Sequence, residues 1–225
     1  MTYITLKDVT FTYPGKTVPA VKNVSQHFNP GEQVAITGLN GSGKSTLARL
    51  MVGLLSAQSG IVHLQGKPVK QYSLAERGRK IGFVYQNPSQ MLFNNTVFNE
   101  AAFGLKWRGV KKEEVMARCR ELLQYFNLWH LREEFPFNLS EGQKQMLVLA
   151  SILALKPDFL ILDEPTKSID TEGKKKLKEV LLDIWRQGTG TIVISHDREF
   201  IQGLNRRSLH MIEGEVRENE GRREN

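Results

Sequence analysis

The sequence predicts an α/β fold in which a parallel-sheet core is interrupted by a helical insertion. Short apolar strand runs separated by helical periodicity occur toward both ends of the chain, a glycine-rich loop joins a strand to a helix near the start, and the middle third shows helical spacing alone. With 225 residues, 40% of them hydrophobic and 24% charged, the chain can bury a core without disulfide or metal staples.

From Thr2 to Phe11, Tyr3, Ile4, Leu6, Val9 and Phe11 roughly alternate with polar residues, as in a half-buried strand, and Pro14-Gly15 turns the chain. A second strand is expected around Val21 to Phe28, followed by the turn Asn29-Pro30-Gly31 and the apolar strand Val34 to Ile36. A loop from Gly38 to Gly43 comes next, and behind it Leu47, Leu50, Met51 and Leu54 recur at helical spacing. Strands are expected again at Ile61 to Leu64 and Ile81 to Tyr85. Val115, Cys119, Leu122, Leu123 and Phe126 then share one face of an amphipathic helix, and Met146 to Leu155 forms an apolar one. After Pro157, strands at Phe159 to Leu162 and Thr191 to Ile194 flank a helix marked by Leu177, Val180, Leu181 and Ile184. Strand-like Ser208 to Ile212 precedes a polar end, Glu213 to Asn225.

Several functional classes are excluded at this level. Cys119, the single cysteine, cannot form an intrachain disulfide, which suits a reducing cytosol, and its place on an apolar helix face marks it as core. The longest apolar run, Met146 to Leu155, is interrupted by Ser151 and falls short of the ~20 residues a membrane-spanning helix needs. The opening Met1-Thr2-Tyr3-Ile4-Thr5 lacks the basic head and apolar stretch of a signal peptide. Lysine and arginine exceed acids by 31 to 24, for a net charge of +7, and the pI is about 9.5. The basic residues are scattered, however, and the densest run, Lys174, Lys175, Lys176 and Lys178, reads as the solvated face of a helix, so no nucleic-acid partner is expected.

Gly38-Leu39-Asn40-Gly41-Ser42-Gly43-Lys44-Ser45 fits G-x-x-x-x-G-K-[ST] between a strand and a helix. Glycines let backbone N–H groups curl around a phosphate, and the helix N-terminus adds positive potential. Lys44 would reach the β- and γ-phosphates, and Ser45, with Thr46 beside it, would place a hydroxyl on Mg²⁺. Such a site also needs acids at the end of a buried strand, and Phe159-Leu160-Ile161-Leu162-Asp163-Glu164 supplies them: Asp163 for the metal's coordination sphere, Glu164 as the base for attacking water.

The motifs, in order, resemble those of the ATP-binding subunit of ABC transporters: the phosphate loop, Gln86, Leu139-Ser140-Glu141-Gly142-Gln143, Asp163-Glu164, Asp170 and His196. The resemblance covers nearly the whole chain. It implies a P-loop NTPase (RecA-like) nucleotide-binding domain, residues 1–225, with an α/β core at 1–86 and 158–225 and a helical subdomain at 87–157 carrying the signature. ATP and Mg²⁺ are the implied ligands. Gln86 resembles the glutamine that touches Mg²⁺ or attacking water, His196 the switch histidine at the γ-phosphate, and Tyr13 the aromatic that stacks on adenine. Ser140, Gly142 and Gln143 would act in trans on the nucleotide of a second ATPase subunit, and Asp170 matches the D-loop in Thr166-Lys167-Ser168-Ile169-Asp170, where Lys167 and Ile169 differ from the usual small and leucine residues.

Two departures stand out: Glu141 replaces the usual first signature glycine, and Met146 stands where many relatives carry arginine. A carboxylate beside a triphosphate is unfavourable unless it points away, so reduced or asymmetric activity is expected. This favours a heterodimer whose partner supplies the usual signature, with a homodimer or fused pair left open. The run from Gly82 to Pro88, continued by Met91-Leu92-Phe93 and Thr96-Val97, resembles the ATPases of energy-coupling-factor and cobalt-type importers. That implies a transmembrane coupling subunit, a substrate-binding membrane subunit and a peripheral place on the cytoplasmic side of the membrane. A soluble ABC ATPase acting on ribosomes or DNA, or a catalytically weak regulatory module, are the competing classes.

Overall fold

The alternating start of the chain forms β1 (Ile4–Phe11), which returns through a short loop as β2 (Val21–Phe28). The computed structural model describes residues 2–167, 169–204 and 206–218. Then follow β3 (Gln33–Thr37), α1 (Lys44–Met51), β4 (Ser59–Leu64), β5 (Lys67–Pro68), α2 (Leu74–Lys80) and β6 (Ile81–Val84). The middle of the chain is helical: α3 (Val97–Trp107), α4 (Lys112–Tyr125) and α5 (Glu141–Leu153). The last part alternates again: β7 (Phe159–Asp163), α6 (Thr171–Arg186), β8 (Gly190–Ile194), α7 (Arg198–Ile201), β9 (Arg207–Ile212) and β10 (Glu215–Glu218).

The strands divide into a four-stranded sheet, β2-β1-β4-β5, and a six-stranded sheet, β10-β9-β3-β8-β7-β6. The larger sheet is parallel from β9 to β6. Its central β7 and β8 are buried throughout, as near-continuous apolar strands covered on both faces should be. The first sheet stands beside that parallel core as an antiparallel one. Parallel neighbours need a long crossover, whereas the short connection between β1 and β2 allows only antiparallel pairing. The polar end is corrected in part. Glu213 and Gly214 both have positive φ, the two-residue turn that matches strand twist, and β10 pairs antiparallel with β9 beyond it. Residues 219–225 of that polar end lie outside the described residues.

Side chains of β7 alternate between two cores. Phe159 and Ile161 pack with Ile4, Leu6, Phe28, Ile36, Leu47 and Leu64, between the sheets around α1. Leu160 and Leu162 face Leu105, Leu123, Leu147 and Leu177, tying the helical region to the parallel sheet. Gly104 of α3 meets α5's end closely, since a Cβ there would lie 2.9 Å from the Leu155 side chain. Cys119 is fully buried in this second core, and burial pushes its thiol up to about 11. On α6, Leu177, Val180, Leu181 and Ile184 face inward. The lysines there are engaged at the surface: Lys174 with Asp197, Lys176 with Glu179, and Lys178 with the Gln202 carbonyl. Among the described residues no helix is long and apolar enough to cross a bilayer.

Candidate functional site

The loop between β3 and α1 is fixed by glycine. Gly38 and Gly43 have φ of 146° and 105°, which side chains rarely adopt. Space is lacking as well: a Cβ would lie 2.3 Å from the Met211 carbonyl oxygen at Gly38 and 2.0 Å from that of Ala20 at Gly43. Gly43 is the N-cap of α1 and offers no side-chain cap, so the helix's first N–H groups face the loop's concavity. Lys44 is buried, and its Nζ donates to the Gly38 and Leu39 carbonyls, both at 2.9 Å. The Ser42 hydroxyl is buried with no hydrogen-bond partner among the described residues. Leu39, Asn40 and Gly41 form the loop's exposed crest.

At the end of β7 the backbone of Glu164 turns left-handed, φ 49°, a conformation that costs a non-glycine residue roughly 1–3 kcal/mol. The turn separates the two acids. Asp163 accepts a hydrogen bond from Ser45 Oγ at 2.9 Å, which joins α1 to the parallel sheet. Burial raises the Asp163 carboxyl above its ordinary range against the opposing Ser45 hydrogen bond, with neighbouring Glu164 adding to the rise. Glu164 is buried, and its Oε2 lies 2.9 Å from His196 Nδ1, whose imidazole is mostly exposed. Ser195, His196 and Asp197 do not form a hydrolase triad. Ser195 Oγ accepts from the Asp197 N–H, and Asp197 caps α7 and binds Lys174, which holds its carboxyl below the usual range.

Part of this machinery opens on a cleft of about 660 Å³ lined by Tyr13, Asn40, Lys44, Ser45, Thr46, Gln86 and Glu164, whereas His196 lines a separate cavity with Gly38 and Leu39. The Tyr13 ring stands edge-on to Phe11, with centroids 4.9 Å apart, and its hydroxyl is 3.1 Å from Thr46 Oγ1. Lys16 to Pro19 complete one wall. Their residue types carry no signal; only the Pro14-Gly15 turn before them marks a loop that could reach the site. Ser45, Asp163 and Gln86 offer a hydroxyl, a carboxylate and an amide. That sparse oxygen set suits Mg²⁺, which takes few protein ligands and completes its shell with phosphate and water.

The signature segment lies elsewhere. Ser140 caps α5 in a reciprocal box: the Gln143 N–H donates to Ser140 Oγ at 3.3 Å, and the Ser140 N–H donates to Gln143 Oε1 at 2.9 Å. Gly142 faces Ile169, to which an added Cβ would come within 3.6 Å, and Asp170 caps α6 through the Gly173 N–H at 2.7 Å. Ser168 lies outside the described residues. Ser140, Gly142, Gln143 and Asp170 do not line the cleft of their own chain. Glu141 pairs with Lys144 at 2.8 Å, and Met146 is buried in the helical core.

A glycine loop, a helix N-terminus and strand-end acids on a parallel sheet together define the class of P-loop nucleoside triphosphatases. The ABC transporter family matches residues 21–167. A candidate ABC transporter ATP-binding protein of Clostridium acetobutylicum is 40% identical, over 92% of this chain and 87% of its own. The energy-coupling factor transporter ATP-binding protein of Geobacillus kaustophilus is 37% identical, over 95% of this chain and 76% of its own. Among solved structures, a dimeric ATP-binding cassette in a post-hydrolysis state with ADP and Pi superposes with a TM-score of 0.88 at 28% identity, covering 96% of this chain and 97% of that one. The cbiO1 protein of Clostridium perfringens, part of the ABC transporter complex cbiONQ, gives a TM-score of 0.85 at 29% identity, covering 96% and 88%. The chain belongs to the ABC transporter family, as an ATP-binding ATPase domain.

Proposed function

We propose that the chain is the motor subunit of a membrane importer of the energy-coupling-factor type, carrying a vitamin or a transition-metal ion, and that it works as a dimer against the cytoplasmic face of the membrane. The observation that carries this reading is the cleft that gathers Lys44, Ser45, Gln86 and Glu164 around a phosphate-shaped loop. In it, the loop N–H groups and the unpartnered Ser42 hydroxyl take phosphate oxygens, and Lys44 turns from the loop carbonyls to the β- and γ-phosphates. Tyr13 offers its ring to adenine. Ser45, Asp163 and Gln86 would hold Mg²⁺, which would supply neutralisation of the charge on the triphosphate. Glu164 takes a proton from the water that attacks the γ-phosphorus as the bond to the β-phosphate oxygen breaks, and His196 orients Glu164 and faces the γ-phosphate. A second copy closes the site with its Ser140, Gly142 and Gln143, while Asp170 shapes the contact between copies.

The membrane partner is supported by an apolar groove of about 290 Å³ beside the Gln86 segment, lined by Leu54, Leu74, Phe83, Tyr85 and Ile152. Phe93 and Phe103 stack edge to face at 4.7 Å, and both are exposed together with Trp107. Exposed apolar surface of this kind marks a docking face. The importer branch rests on the run from Gly82 to Pro88 and on the names of the Geobacillus and cbiONQ relatives. The test is purification of the full chain from membranes in mild detergent. Recovery of a multi-pass membrane protein with ATP-dependent phosphate release supports the reading, and recovery with ribosomes or nucleic acid contradicts it.

A further inference from the structure

Glu141 occupies the first turn of α5, where free N–H groups and the helix dipole attract an acid. Its carboxylate is nonetheless turned along the helix, with Oε1 accepting from Lys144 Nζ at 2.8 Å. The cap bonds at that end are made by Ser140 and Gln143 instead. Lys144 is the fixed member of the pair, its side chain 11% exposed against 42% for Glu141, with its ammonium 5.9 Å from the centroid of the Phe137 ring. A lysine side chain packed this closely has little freedom to leave, so the half-exposed carboxylate comes to it.

Resting on the reading that this segment meets the γ-phosphate of a second copy, we propose that Lys144 is a positioning residue. It holds the Glu141 carboxylate off the α5 N-terminus and so keeps an acid-bearing signature receptive to an anion. Released, that carboxylate would repel the triphosphate and compete with it for the same N–H groups. The departure at Glu141 is thus offset within the chain, so by itself it gives no reason to require a partner with the usual signature. Because Lys144 does not line the cleft of its own chain, it acts on closure rather than on nucleotide capture.

Steady-state phosphate release by the full chain, over a range of Mg-ATP concentrations, tests this with Lys144→Gln, Lys144→Arg and the double variant Glu141→Gln/Lys144→Gln. Lys144→Gln lowers kcat about tenfold while the KM for ATP stays within about twofold, and both other variants recover to within about threefold of the parent. The double variant shares the lost lysine packing, so its recovery separates charge from misfolding. Parent-like turnover by Lys144→Gln, or a double variant as slow as the single one, overturns the inference alone. A parent chain that releases no phosphate overturns the inference together with the functional reading on which it rests.

Discussion

The phosphate loop and the start of α5 both present helix-end N–H groups, yet one is locked from every side and the other is open. Around the loop, Gly38 and Gly43 have no room for a Cβ, Lys44 and Asp163 are buried, and Glu164 is held in a left-handed turn. At α5 the exposed Ser140 and its neighbour Gln143 cap each other, and local charge is set by the Glu141–Lys144 pair. Under the proposed pairing of two copies, the half that cleaves the bond would need fixed geometry, while the half that closes over it would come and go and would tolerate a substitution offset nearby.

The comparison can be broken most forcefully at Glu164. Glu164→Gln keeps its shape but loses the base, so phosphate release falls at least about a hundredfold while ATP binding persists; near-normal turnover would remove Glu164 from that role. Gly43→Ala tests the locked loop, since the added methyl must displace the Ala20 carbonyl or unwind the turn. ATP affinity should drop about tenfold or more, as strain of roughly 1–3 kcal/mol implies, and parent-like affinity in calorimetry would show the loop to be looser than its geometry. Ser140→Ala tests the open half: it costs about 1 kcal/mol of stability through the lost cap and slows phosphate release without changing ATP affinity. Equal losses in binding and turnover would place Ser140 in the cleft of its own chain.

The smallest expected effect concerns Asp163. Burial raises its carboxyl, so the folded chain binds that proton more tightly than the unfolded chain does. The stability this contributes is fully present below the unfolded carboxylate range and is lost as pH rises through the raised value. In nucleotide-free, Mg²⁺-free buffer, Asp163→Asn should therefore melt above the parent at neutral pH, with the gap closing as pH falls to about 4. A gap that does not change with pH would mean the buried charge is not the cause.

The locked half was legible in the sequence because its residue types are dictated by backbone and phosphate. Glycines that admit no side chain, a lysine and a serine at the helix start, and acids ending an apolar strand each leave a signal. Its wall from Lys16 to Pro19 was not legible, since those positions contribute through where the loop passes rather than through chemistry. At α5 the sequence marked the cap but not the direction of the Glu141 side chain, which depends on a choice between the helix N-terminus and a lysine three residues on. Strand β10 was hidden because Glu215, Arg217 and Glu218 read as a polar tail, and only pairing with β9 makes them a strand. The antiparallel first sheet was hidden because strand alternation does not state direction; loop length does.

A divided site is tested most directly by sedimentation of the full chain carrying Glu164→Gln, with and without Mg-ATP, beside the same chain carrying Ser140→Arg as well. Pairing across copies predicts monomers without ATP, dimers with it, and monomers that still bind ATP once arginine blocks the signature. A chain that binds ATP yet stays monomeric with its signature intact, or that dimerises equally well with Ser140→Arg, would contradict the divided site.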